Sequence, residues 1–233
     1  MNKQIQGLMY FFTVDTKRTI TVFWSILLSL LIISFVTMYV VTHFYGQEGV
    51  ATFFISMPIY IFAAIHSFKL ASNTLPFAIK MGSTRKMLFV SLGAFFLIES
   101  IVQGLLINAV TVIIDSLKSI LGMGTKEFML IHPAMWLNES WFDRMLVDTT
   151  LVFTILAVFF TFGLLFHKYG LSGGGSVLAL LAFILILSIF TGWIADAYHF
   201  FVNSWGLILF GEVMLVGIAI YCLSWTLMRR FTV

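Results

Sequence analysis

Few residues of this chain can carry chemistry, and the most informative are two carboxylates, Glu99 and Glu212, set inside otherwise apolar runs. Glu99 lies thirteen residues past Lys86, which is about 20 Å along a helix and therefore mid-bilayer depth if the run crosses a membrane. A carboxylate at that depth costs about 2.5–3.5 kcal/mol on insertion scales. No Lys or Arg lies deep in any apolar run to neutralise it, so the group must be protonated, hydrogen-bonded or wet. Gln103 sits four positions on and shares the helical face, so a local Glu99–Gln103 pair is the plain structural reading. Glu212 lies seven residues past Trp205, about 10 Å inside a membrane edge and within snorkelling reach. The functional reading is that Glu99, Gln103 and Glu212 line a polar seam, at a subunit interface, along which a substrate passes.

Other motifs carry less. Gly170–Ser176 reads GLSGGGS, close to the signature loop by which ABC ATPases touch nucleotide. Such a loop works only opposite a phosphate-cradling G-x-x-x-x-G-K-[ST], and the chain has none. A Gly-rich turn between two helices is the expected role. Asn138, Glu139 and Ser140 spell a glycosylation sequon, expected to be a chance match. The five histidines, His43, His66, His132, His167 and His199, lack ligand spacing, and no metal site is expected. Cys222 is the single cysteine and cannot close an intramolecular disulfide. No Ser-His-Asp grouping or paired catalytic carboxylates emerge, so the chain is not expected to be an enzyme or to hold a cofactor.

What must position these residues follows from composition. Of 233 residues, 61% are hydrophobic and 10% charged, against about 45–50% and about 25% in soluble domains. Mean hydropathy is +1.05, and 26 residues are Phe. A water-soluble globule, a disordered chain and a nucleic-acid-binding domain are excluded. A helical crossing needs about 20 apolar residues, and six charge-poor stretches qualify, with spans at approximately 20–42, 49–68, 87–110, 147–167, 175–195 and 205–228. The runs are continuously apolar rather than alternating, which favours helices over barrel strands. The expected fold is all-α, one polytopic transmembrane domain over residues 1–233.

Basic residues set the orientation. With the N-terminus in the cytoplasm, the cytoplasmic segments hold ten Lys and Arg and the outer loops three, Lys118, Lys126 and Arg144. Both termini are therefore expected inside. Trp24 and Trp225 fall near inner span ends, and Trp193 and Trp205 near outer ones, as in an aromatic belt. The first run lies behind Asp15 and lacks an A-x-A-like cleavage site, so it reads as a retained span. Residues 1–19, with Ile5, Leu8, Met9 and Phe12 at helical spacing, read as an amphipathic helix on the inner leaflet that ends where the first span begins. The outer segment 115–146 contains Pro133, Trp136 and Trp141, mixes apolar runs with charge, and is expected to form interfacial helices that gate exit or cover span ends.

Between the second and third spans, Lys69 to Lys86 reads KLASNTLPFAIKMGSTRK, with basic residues and no acid. Pro76 can open a short helix there, Gly82 end it and Ser83 cap the next span. The helix is expected to lie parallel to the membrane, with Lys80, Arg85 and Lys86 facing water, headgroups or a partner. The stretch LPFAIKMGSTRKMLF resembles the segment F-A-x-x-x-G-x-[ST]-R-[KR] of permease subunits of the type-two class of ABC exporters, six-span proteins common in Firmicutes. The motif covers about fifteen residues, whereas the similarity in layout extends over the whole chain. Members often carry outer re-entrant helices between spans 5 and 6, whereas here that link, Asp196 to Ser204, is brief. The resemblance implies a bacterial inner-membrane permease that pairs with a second permease, identical or homologous, and docks on a cytosolic ATPase. It places Phe77, Gly82, Ser83, Arg85 and Lys86, with Lys80 among them, in the coupling element. ATP and Mg would then reside on the partner ATPase, and the exported substrate would be amphipathic or apolar: a peptide, an antibiotic or a lipid. An ion-coupled carrier using Glu99 and Glu212 is the alternative, as is a non-transporting assembly or regulatory subunit.

Overall fold

The computed structural model describes residues 2–45, 50–124, 127–136, 140–196, 199 and 206–230. Lys126, Asn138, Glu139 and Trp205 lie outside the described residues. The fold is all-α with one small two-stranded addition. In chain order it comprises α1 (Asn2–Tyr45), β1 (Ala51–Phe54), α2 (Ser56–Lys69), a π-helical turn (Leu70–Thr74), α3 (Leu75–Lys80) and α4 (Arg85–Ile120). There follow β2 (Phe128–Ile131), a 3-10 turn (Pro133–Trp136), α5 (Trp141–Thr191) and α6 (Leu207–Arg229). Among the described residues four helices, α1, α4, α5 and α6, are long and apolar enough to cross a membrane.

Helix α1 departs from expectation. It runs unbroken for 44 residues, about 66 Å, so the interfacial helix 1–19 and the first span are one rod. Beyond Gly7 it holds neither Gly nor Pro, so nothing at residue 19 breaks it. Five of its hydroxyls are satisfied within the helix: Thr13, Thr21, Ser25, Ser29 and Ser34 each donate to the carbonyl four residues back at 2.7–2.9 Å.

The second run, expected as a helix from 49, begins as strand β1 and turns helical only at Ser56. β1 pairs in parallel with β2, Ala51 opposite Phe128 and Phe54 opposite Ile131. Parallel strands require a long crossover, here α2 through α4. β2 buries Phe128 and Leu130, and Phe35 of α1 meets Phe128 edge-on at 5.3 Å. The outer segment is thus not a set of interfacial helices: its first residues extend α4, its last begin α5, and between them lie a strand and a 3-10 turn.

At its other end α2 does not stop. Lys69, Leu70, Thr74 and Leu75 all hold right-handed helical angles, so α2, the π turn and α3 form one helical run over 56–80. The expected separate surface helix is therefore the continuation of a core helix. Pro76 stands in the first turn of α3. Gly82 closes it with φ 88°, donating to Ile79 O at 2.9 Å, while the Ser83 N–H reaches Ala78 O at 3.2 Å, a left-handed glycine stop. Ser83 therefore finishes α3 rather than capping α4, whose N-cap is Thr84 without a side-chain bond.

Helix α5 contains a corner at Gly170, whose φ of 64° and ψ of −161° are non-helical. A Cβ on Gly174 would lie 2.4 Å from the Phe166 ring, and one on Gly173 would lie 2.1 Å from Tyr169 Cβ. A straight helix holds residues eight apart at about 12 Å, so the chain folds back here. Of the GLSGGGS stretch, expected as a Gly-rich turn, only Gly170 leaves the helix; Leu171–Ser176 are helical. The first limb packs on α6 through Thr154 against Gly217 and on the π turn through Gly163 against Ala71. The core is a stack of rings, Phe12, Phe95, Phe96, Phe160 and Tyr221, and Tyr221 donates its hydroxyl to Phe89 O. One end of the bundle carries residues 78–87 (the connector end) and the other carries β1 and β2 (the strand end).

Candidate functional site

Three helices bring a chain of polar groups together in the core. Glu99 and Gln103 project from α4, His66 from α2, and Thr16 and Trp24 from α1, all buried. Trp24 Nε1 donates to Gln103 Oε1 at 3.0 Å. An indole can only donate, so the amide oxygen must face it, and Gln103 Nε2 points elsewhere without a partner. His66 Nε2 lies 3.3 Å from Thr16 Oγ1 and 3.7 Å from Glu99 Oε1. The latter spacing is too long for a hydrogen bond, and neither carboxyl oxygen of Glu99 has a hydrogen-bond partner. Phe62 stacks parallel to the His66 ring at 5.6 Å and stacks on Phe23 of α1 at 4.3 Å, which fixes the imidazole plane.

The structure thus brings Glu99 and Gln103 into one buried layer but does not pair them: Trp24 orients the amide through its oxygen, and the Gln103 Nε2 donor and both Glu99 oxygens stand without a partner. Trp24 belongs to this layer and not to an aromatic belt. Glu212 is not brought to it and stands exposed on α6. The layer holds a carboxyl, an imidazole and an amide with spare capacity, a set able to hold or pass a proton or to accept a hydrogen bond from a guest.

A second cluster, which the sequence does not announce, lies at the strand end. Asp148 is fully buried at 0% exposure. Its Oδ1 accepts from Tyr60 Oη at 2.8 Å and Ser56 Oγ at 3.4 Å, and its Oδ2 from His132 Nε2 at 2.8 Å. The Ala134 N–H donates to His132 Nδ1 at 2.9 Å, so Nδ1 is the bare nitrogen and Nε2 carries the proton. Both imidazole nitrogens are committed, and Ser56 donates to the carboxylate rather than to the histidine. The grouping is therefore not a Ser–His pair of the kind that activates a serine nucleophile. It is a latch tying the start of α2, the β2 segment and the start of α5. Among the described residues no group of three or more His, Cys, Asp or Glu is placed to hold a metal ion.

The connector end presents the third feature. Phe77 is 53% exposed and stacks on Phe11 of α1 at 6.0 Å. Lys80, Gly82, Arg85 and Lys86 are exposed, and Ser83 is half-buried. Thr74 donates to Asp15 Oδ2 at 3.0 Å, joining α1 to the π turn. The six residues expected to couple to a partner thus lie on one corner, with three exposed basic residues and an aromatic step onto α1.

Comparison of the chain with protein-family models, curated proteins and solved structures finds no match.

Proposed function

We propose that the chain is the permease subunit of an ATP-driven ABC exporter in a bacterial inner membrane, with six spans, both termini in the cytoplasm, and ATP and Mg on a separate ATPase. One observation carries the reading: the exposed basic corner at Leu75–Lys86 is the direct continuation of two core helices. On one side the helical run 56–80 leads back to His66, and on the other α4 leads to Glu99 and Gln103. A push on Lys80, Arg85 or Lys86 therefore moves two walls of the buried polar layer together. Phe77 on Phe11 conveys the same displacement to α1.

Alternation of direction along α1, the run 56–80, α4, the two limbs of α5 and α6 accommodates six spans. Glu212 faces away from its own core, so a seam containing it takes shape between this chain and a second permease, identical or homologous. The interior, rich in Phe and poor in charge, suits an amphipathic or apolar substrate. Membrane lipid surrounds the subunit, and nucleic acid plays no part. The test is co-purification from native membranes: a cytosolic ATPase should accompany the wild type and be lost from an R85E/K86E variant that still inserts and folds. A wild-type preparation that transports without such a companion overturns the proposal. The carboxyl of Glu99 without a donor, 3.7 Å from His66, favours a second reading as an ion-coupled carrier. In that reading transport collapses with the proton gradient and does not require ATP.

A further inference from the structure

A groove of about 440 Å³ opens on the side of the bundle between α1 and α2. Its walls include Phe23 from α1 and Pro58, Ile61, Ile65, His66 and Lys69 from α2. Pro58, Ile61, Ile65 and Lys69 recur every three or four positions, with His66 beside Ile65, so the groove is a strip along one helix face, about 17 Å long from Pro58 to Lys69. Its volume falls within the range of small-molecule sites. Almost all of it is apolar, with polarity concentrated at the end toward the connector. There Lys69 is exposed, and one turn earlier stands His66, whose buried Nδ1 has no partner.

From this arrangement we propose that the groove is a specific site for one anionic phospholipid, with an acyl chain along Phe23, Ile61 and Ile65 and the headgroup phosphate on Lys69. The charge at one end selects an anion, and the apolar strip selects a chain. The groove lies on α1 and α2 at the level of the longest apolar runs, where a bilayer supplies such a molecule. Seated there, the chain covers the His66 ring and seals the Glu99 layer behind it from the lipid side. The inference does not rest on the permease reading and holds equally for a carrier.

The test is native mass spectrometry of the full chain, delipidated in detergent and exposed to equal amounts of phosphatidylglycerol and phosphatidylcholine with the same acyl chains. One phosphatidylglycerol per chain should be retained in preference. Lys69→Ala should weaken that retention about fivefold, as expected for loss of one juxtamembrane cation, and Lys69→Arg should preserve it. Ile61→Trp should exclude both lipids, whereas Ile33→Trp, on a different exposed position of α1, should change nothing. Inorganic phosphate should fail to displace the lipid; displacement by phosphate alone would make this an ion site and refute the acyl assignment. Equal retention of the two lipids, or retention indifferent to Ile61→Trp, overturns the proposal. A photoactivatable acyl chain on phosphatidylglycerol probes the wild type directly, without a variant: labelling should map to 19–23 and 57–69, and labelling elsewhere refutes the site.

Discussion

Replacing Asp148 by Leu removes the acceptor for three side chains and, at a fully buried position, adds bulk whose overpacking comes on top of the lost bonds. His132 Nε2 cannot turn to another acceptor, because Nδ1 is held by the Ala134 N–H, and Tyr60 Oη has Asp148 as its bonded partner. Three donors lose their acceptor, buried His132 and Ser56 and part-buried Tyr60; the two short bonds, from His132 and Tyr60, account for about 1–3 kcal/mol each, about 2–6 kcal/mol together. Asp148→Asn is milder. Its amide can turn its oxygen to His132 and its nitrogen to Tyr60, whose phenol also accepts, so it loses mainly charge assistance, about 1–3 kcal/mol. Adding His132→Leu to Asp148→Leu deletes one of the orphans and should be less harmful than the sum of the single changes by at least about 1 kcal/mol. The assay is unfolding of detergent-solubilised protein by sodium dodecyl sulfate, followed by tryptophan fluorescence. Asp148→Leu within about 0.5 kcal/mol of wild type, or a strictly additive cycle, would refute the latch.

Trp24→Phe should cost about 1–3 kcal/mol in the same assay by leaving both ends of the Gln103 amide unpaired, and Trp24→Phe with Gln103→Leu should recover most of it. Glu99→Gln should leave stability unchanged or raised, since the carboxyl makes no hydrogen bond, yet lower transport; a stability loss above about 1 kcal/mol would reveal a partner. Gly163→Ala places a methyl 2.6 Å from Ala71 Cβ and 2.9 Å from Phe68 O, an overpacking of about 1–3 kcal/mol that Ala71→Gly should partly relieve in thermal unfolding. Gly170→Ala should cost about 1–3 kcal/mol through its φ of 64°, read as a shift in the same transition.

Apolar run length makes the helices legible, and Gly82 and Gly170 announce two of the turns. Residues 51–54 mislead because an apolar strand at a sheet edge and the start of an apolar helix look alike without periodicity. The continuity of α1 through residue 19, and of 56–80 through Lys69, is concealed by charge: polar residues suggest boundaries, whereas a helix ends only where backbone chemistry ends it. Glu99 and Gln103 stand out as polar residues in an apolar run. His66 meets the same criterion within PIYIFAAIHSFK, but its place near a span end hides it. His132 and Asp148 are sixteen positions apart in different elements, so only the pairing of β2 with β1 brings that cluster together, and no local pattern encodes it.

The most direct measurement of the proposed role is site-specific photocrosslinking from Lys80 in native membranes, with a second probe at exposed Phe54 of the strand end as control. Lys80 should capture a nucleotide-binding subunit carrying a phosphate-cradling loop, Phe54 should not, and adding ATP should change the yield. Capture of lipid alone at Lys80 from membranes in which transport is fully active would contradict the coupling role.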